Sequence, residues 1–478
     1  MARSSFLSRL PRRAWYILIV TLALAPALVT LIDGRDVDGL NFIAIVDPDS
    51  IAAWTGRLAT ATILLAAATV VLLTPQRTVQ SKTARRRLRW LAAALVVFAL
   101  GHTILPSFLG AVPSFDPGAL YAFAVLAAAY SARSLPSSVF FSAMKGSLLV
   151  LMVSGFVVAA AKPEMALQYV SADLRLPIID FRYWGIGSSP NNIAPLALLL
   201  VMLTVHTPYK SILLNATAYA TAGVTILLSQ SQTTWAAALI VLPVFVFYCK
   251  TPKPIRKARV NPLFAVAAIV GVGAGLILLV WEASHVDLSS LFDASLRLES
   301  GGLVNRDENA PDSFTGRTVI WEAAMNTWRD HPWFGYGLTA WGVDFRRELG
   351  LPFASNAHNQ FMQSVSIGGS IALFALIVYL STLLVLSYRQ ARKVNGLSLA
   401  ILGLTLIRVL TEGPLDTNTL LSGELLIHST LIVITAMSVT RMTGKQQMKS
   451  TNKASKQSDV LLNWSEESRQ SEQTFLKP

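Results

Sequence analysis

Apolar runs recur along this sequence, the fourth, sixth, eleventh and twelfth of them short, too many and too evenly spaced for the core of a soluble fold. Six fill its first half: Trp15–Ile32, Ile51–Thr74, Trp90–Gly110, Ala119–Ser131, Val139–Ala161 and Asn192–His206. Ser211–Leu228, Thr234–Cys249, Asn261–Trp281, Gln360–Ser387, Leu397–Leu410 and Leu425–Val439 follow. A helix that crosses a bilayer needs about 20 predominantly apolar residues. Within lipid the backbone must satisfy its own polar groups, so such runs default to helices. The expected fold class is an all-α integral membrane protein with about twelve transmembrane helices and one large helical outer loop. Composition agrees, with 53% of residues hydrophobic and 14% charged, against about 25% charged in soluble domains. That balance excludes a disordered chain, a coiled coil and an ordinary cytosolic enzyme. The single cysteine, Cys249, excludes an internal disulfide framework. Arg3, Arg9, Arg12 and Arg13 precede the first run as they would in a signal peptide, but its length and Pro26 favour an uncleaved helix.

The net charge of +13 would suit nucleic acid, yet its placement reads as topology. With the N-terminus inside, 27 Lys and Arg fall in cytoplasmic segments and 10 in outer ones. No Asp or Glu stands in a cytoplasmic segment before the C-terminal tail. This is the positive-inside pattern, and it leaves no nucleic-acid partner to expect. The organisation read from it is nine spans in 1–281, a large outer loop at 282–359, three spans in 360–440 and a disordered cytoplasmic tail at 441–478. Both termini are then cytoplasmic.

The outer loop is where chemistry is expected. It carries Trp321, Trp328, Trp333 and Trp341 with six Arg and no Lys. Arg binds phosphate through a planar fork where Lys is a point charge. Trp suits sugar stacking and also a plain interfacial belt. Ser313 or Thr315 would cap a helix that has Ile320, Ala323, Ala324, Thr327 and Trp328 on one face and stops at Pro332. Arg317 would lie in its first turn, where free N–H groups and the dipole favour an anion. His358 is placed in the first turn of the tenth span, where the dipole would keep its ring neutral and able to accept a proton. The plainer reading is a histidine that caps the helix. Arg182, Asn191 and flexible glycines end a shorter outer segment, and Ser229–Thr234, including Gln232, link the seventh and eighth spans. Arg57, Lys145 and Arg408 lie within spans; the first two sit near helix ends and can snorkel. Arg408 and Glu412 are four apart and would pair on one helix face. No Cys/His cluster has metal spacing and no glycine-rich nucleotide loop occurs.

Gly316–Trp321, Pro332–Gly337, Ala357–Gln360 with Gln363, and the Gly368-Gly369 pair resemble the O-antigen ligase and polymerase superfamily. Its pattern is GR-x-x-x-W, P-x-x-G-x-G and HN-x-x-x-Q before a glycine-containing membrane helix. Arg182–Asn192 resembles the R-x-x-G…PN element of the same family, and the span count and large late loop are similar. The resemblance implies a metal-independent glycosyltransferase without a cofactor, on the outer face of the bacterial cytoplasmic (inner) membrane. Its donor would be a polyprenyl-diphosphate-linked glycan, its acceptor a glycan or lipid, and its partners membrane lipid and other polysaccharide-assembly proteins. Carried over by motif, His358 is the base and Arg317 the diphosphate contact. Arg182, Asn191, Gln232, Trp321, Asn359, Gln363 and Arg408 would bind substrate. One departure stands out: where many members carry Arg or Lys between the seventh and eighth spans, this chain reads Ser231-Gln232-Thr233. Arg182 or Arg408 would then supply that contact, and the balance tilts from ligase toward exopolysaccharide polymerase. A lipid-glycan flippase or transporter and a membrane scaffold are the readings of other classes. Neither calls for a histidine at a span mouth beside an Arg-rich loop.

Overall fold

A computed structural model describes residues 9–37, 49–75, 82–169, 179–250, 317–351, 354–415, 417 and 420–437. The expected ninth span, the loop up to residue 316 with its Ser313 or Thr315 cap, and the tail 441–478 lie outside the described residues. Helices α1 (Leu10–Asp33), α2 (Ile51–Leu73), α3 (Lys82–Leu109) and α5 (Ser137–Ala161) are long and apolar enough to cross a membrane. So is α11 (Gln360–Gln390). Shorter apolar helices fill the other described positions: α4 (Pro117–Ala132), α6 (Pro190–His206), α7 (Ile212–Leu228), α12 (Leu397–Thr411) and α13 (Gly423–Met437). The last is α8 (Gln232–Lys250), apolar over Gln232–Val246. The chain is thus a multi-pass membrane protein. Five helices of full spanning length and six shorter ones are seen where eleven of the twelve runs were expected.

Packing separates inner from outer helices. Every residue of α6 from Ile193 to Leu200 is buried, because α5, α7, α8 and α12 all pack against it. By contrast α2 leaves Leu58, Leu65 and Leu72 at least 70% exposed, which fits a lipid-facing helix rather than a core one. Close helix approach in lipid relies on small residues. A Cβ on Gly101 would stand 2.5 Å from that of Ala375, so this glycine, within a π-turn of α3 at Leu100–Ile104, lets α3 lie against α11.

The links at one end of the bundle are tied together by hydrogen bonds. Arg35, beyond α1, donates to the carbonyls of Gly187, Met165 and Gly185 and lies over Trp184. A two-residue antiparallel ladder, β1 (Leu167–Gln168) with β2 (Arg182–Tyr183), is the one strand pairing among the described residues. It fixes the backbone at Arg182. The outer loop supplies two helices, α9 (Arg317–Asp330) and α10 (Val343–Glu348). Ile320, Ala324, Trp341, Phe345 and Ala357 form a small core that closes on Ile367 of α11.

The glycine motifs make that closure possible. Non-helical angles at Gly368 and Gly369 break α11, and Gly369 has φ 62°. The Pro332–Gly337 turn fills the break. Tyr336 and Gly337 N–H donate to the Ser366 and Ile367 carbonyls, and Ser370 N–H donates to Pro332 O. Any Cβ on Gly335 would meet Gly368 N at 2.6 Å. The broken helix is therefore re-satisfied by loop backbone, which is how broken helices persist at membrane depth.

Candidate active site

Glu412 is the centre of the site. It follows the last residue of α12 and has left the helix, with φ −150° and ψ −178°. Its carboxylate accepts from three directions. Oε1 receives Arg317 at 3.2 Å and Asn191 Nδ2 at 3.0 Å, and Oε2 lies 3.0 Å from His358 Nδ1. Its side chain is 10% exposed. Burial alone would raise its pKa, but the His358 hydrogen bond and the charges of His358, Arg317 and Arg408 outweigh burial and hold it below its ordinary value. An ionised Glu412 accepts from Nδ1–H and so leaves Nε2 as the basic nitrogen. Nε2 makes no hydrogen bond to a described residue, and the imidazole is 30% exposed.

His358 is held by its neighbours rather than by a helix. Asn359, not His358, caps α11: its Oδ1 accepts from Phe361 and Met362 N–H, and its Nδ2 reaches the Leu410 carbonyl. The helix begins at Gln360, so the expected placement of His358 in the first turn is corrected. Asn is a far better N-cap than His. His358 instead adopts φ 46°, a left-handed conformation that costs a β-bearing residue free energy. Asn356 Oδ1 accepts from His358 N–H, Gln363 Oε1 from Ala357 N–H, and the Ala357 carbonyl from Trp321 Nε1.

Arg317 is the first residue of α9, as expected. Its guanidinium also donates to the Thr411 carbonyl at 3.0 Å, at the C-terminal end of α12 where a cation is favoured. Two of its five N–H groups are spent on these contacts. Arg182 donates from Nε to Ser229 O at 3.0 Å and from Nη2 to Asn191 Oδ1 at 3.2 Å. The amide of Asn191 thus joins Arg182 to Glu412.

One expected pairing is corrected, and two other groups are placed. Arg408 does not pair with Glu412; its buried guanidinium binds Glu424 and the Asn191 carbonyl. Gln232 is exposed at the start of α8 and makes no hydrogen bond to a described residue, whereas Gln230 beside it is buried and donates to Phe181 O. Three of the four loop tryptophans use their N–H groups as anchors: Trp321 to Ala357 O, Trp328 to Ser370 Oγ and Trp341 to Ser366 Oγ. Trp333 remains 67% exposed. Sequence reasoning missed Glu412 as the hub. The available signal was a carboxylate at the outer mouth of an apolar span, a costly place to leave one unless it has cationic partners.

A multi-pass membrane protein with an Arg–Glu–His cluster where the loop between α8 and α11 meets the span ends is the class defined so far. Residues 217–377 match the family model described as O-antigen ligase. This stretch supports the O-antigen ligase and polymerase superfamily, a family of glycan-transferring membrane enzymes, for the chain. It takes in Arg317, His358 and the Gly368-Gly369 break but stops before Arg408, Glu412 and Glu424. Comparison with curated proteins gives no match.

Proposed function

We propose that the protein is a membrane glycosyltransferase that polymerises a polyprenyl-diphosphate-linked glycan on the outer face of the bacterial cytoplasmic membrane, with both termini cytoplasmic. The observation that carries this reading is the shared carboxylate: Glu412 holds His358 and Arg317 side by side at the mouth of the bundle. In the proposed reaction the acceptor hydroxyl attacks the anomeric carbon of the donor sugar. Its proton passes to Nε2 of His358 as the new glycosidic bond forms. The bond from that carbon to the diphosphate breaks, and its electron pair leaves on the lipid diphosphate. Arg317, with N–H groups beyond those given to Glu412 and Thr411, counters the charge that develops there. Arginine supplies this stabilisation, so the scheme calls on no metal and no cofactor. The half-buried ring of Trp321, one residue from His358 through Ala357, offers a face for a sugar.

Arg182 answers the departure at Ser231-Gln232-Thr233. Its guanidinium rests on Ser229 O, in the link where the resemblance implies an Arg or Lys. Transfer of a finished glycan to a lipid or protein acceptor is the second reading, and the same site would serve it. The test is complementation of a deletion strain with His358→Ala. Polymer should vanish while lipid-linked repeat units accumulate and protein level holds; a general base is worth about a hundred- to ten-thousand-fold. Polymer of ordinary length and amount, normally attached, would refute the base. Short chains still attached normally would mark a polymerase, whereas full-length unattached chains would mark a ligase.

A further inference from the structure

We infer that Glu424 is a positioning residue: it claims the Arg408 guanidinium and so reserves Glu412 for His358 and Arg317. The inference rests on the reading of His358 as the base.

Arg408 and Glu412 stand four apart at the end of α12, the spacing at which Arg and Glu pair on a helix. They do not pair. Glu412 has turned out of the helix, and Arg408 points at Glu424 from the first turn of α13. The Arg408 side chain is 2% exposed and that of Glu424 11%. Glu424 is fixed in place, with its N–H on Ser422 Oγ and the preceding Gly423 packed so tightly that a Cβ there would lie 2.8 Å from Leu196. Its carboxylate also sits where the free N–H groups of a helix start favour an anion.

The charged groups gathered here are Arg182, Arg317, Arg408, Glu412, Glu424 and the imidazole of His358. The described carboxylates that feel the charge of Arg408 are Glu424 and Glu412. Two cations and an imidazole would therefore compete for Glu412 if Glu424 were neutral. A buried guanidinium cannot stay unpaired, and Glu412 is its alternative. The pair is also incompletely satisfied. Among the described residues, Arg408 Nε and Glu424 Oε2 are buried without a hydrogen-bond partner. That is an unusual state for a pair kept for stability, because unmade buried bonds cost free energy. A pair kept to hold Arg408 off Glu412 has no need of full satisfaction.

The test is a double-mutant cycle in purified membranes, with Glu424→Gln, Arg408→Met/Glu424→Gln and His358→Ala. Glu424→Gln frees Arg408 to reach Glu412, so kcat should fall about ten- to a hundred-fold. KM should hold while kcat falls, because the variant misplaces a charge at the base and removes no substrate contact. Removal of Arg408 as well should restore kcat to within a few-fold of wild type. A merely structural pair would give a double variant as slow as the single one, and that result overturns the inference. The double variant decides the matter even if Glu424→Gln alone fails to accumulate. An active His358→Ala would overturn the functional reading itself. An inactive His358→Ala with a slow double variant would overturn the role of Glu424 alone.

Discussion

Glu412→Gln tests the site at its hub, because the substitution keeps shape and removes only charge and one acceptor. In the native site Oε1 serves Asn191 and Arg317, and Oε2 faces His358 Nδ1 at 3.0 Å. With Oε1 retained, the new amide N–H2 points at Nδ1. Two donors cannot face each other, so the ring must take the tautomer that carries its proton on Nε2. The basic nitrogen then turns into the protein and away from the acceptor hydroxyl. Loss of an oriented base costs about a hundred- to ten-thousand-fold, or roughly 3–5 kcal/mol of barrier at about 1.4 kcal/mol per decade. Arg317 loses its charged partner too, but it is 19% exposed and also binds Thr411, so water absorbs part of that loss. Turnover of lipid-linked repeat units in purified membranes, at matched protein level, should fall by at least a hundred-fold. The pKa of Glu412 is held down, so its stabilisation is complete above the ordinary carboxylate range and disappears as pH falls through the lowered value. Wild type should therefore keep the dyad at neutral and mildly acid pH, and thermal stability in detergent should drop only in stronger acid. The variant should lack that acid-dependent step. Near-normal turnover by Glu412→Gln, with an unchanged pH–rate profile, would refute the dyad.

Further predictions address the remaining parts. Arg317→Lys keeps charge but loses the fork, and one lost charge-assisted contact of about 1.5–3 kcal/mol should slow transfer roughly ten- to a hundred-fold; near-normal transfer would reduce Arg317 to a solvated charge. Gly369→Ala should sharply lower the level of folded protein in membranes, because its Cβ would meet the Trp333 carbonyl carbon at 2.5 Å and its φ is 62°; normal expression and activity would show the plugged break to be dispensable. Single cysteines at Asp344 and Arg392, both exposed, in a Cys249→Ser background should label from opposite sides with an impermeant thiol reagent. Labelling of both from one side would sink the topology.

The spans were legible because lipid imposes one rule on every residue: apolar outside, backbone satisfied within. Eleven of twelve runs appear as helices, and the glycine motifs pointed to the place where loop and span meet. Pairing was less legible. Arg408 and Glu412 satisfied each other on paper, and only the approach of α13 with Glu424 divides them. Helix starts are settled by competition among neighbours, and Asn359 takes the cap, which leaves His358 outside the first turn. The Gly368-Gly369 pair was read as motif, not as a break, because apolar periodicity continues through it. The amide side chains Asn359 and Gln363 looked free to meet substrate. Their hydrogen bonds instead go to backbone that fixes His358, a use no linear pattern reveals.

Backbone strain gives a last link from fold to chemistry. Four described residues other than glycine have positive φ: Gln230, Trp341, His358 and Asn395. The first three lie at the end of the bundle that holds the Arg–Glu–His cluster. Each is overdetermined by side-chain bonds, Gln230 to Phe181 O, Trp341 to Ser366 Oγ, and His358 within the lattice of Asn356, Ala357 and Gln363. A left-handed residue relaxes unless its surroundings forbid it. Here the rigid apolar bundle supplies the restraint, through α11 and α12, and the links between spans supply the strained residues. Under the proposed reaction, the imidazole is thus aimed before substrate arrives, and no reorganisation is left for the moment at which charge moves onto the diphosphate. Loosening any one brace, for instance Gln363→Leu, should then lower kcat more than it raises KM. A brace that merely folded the loop would change protein level instead.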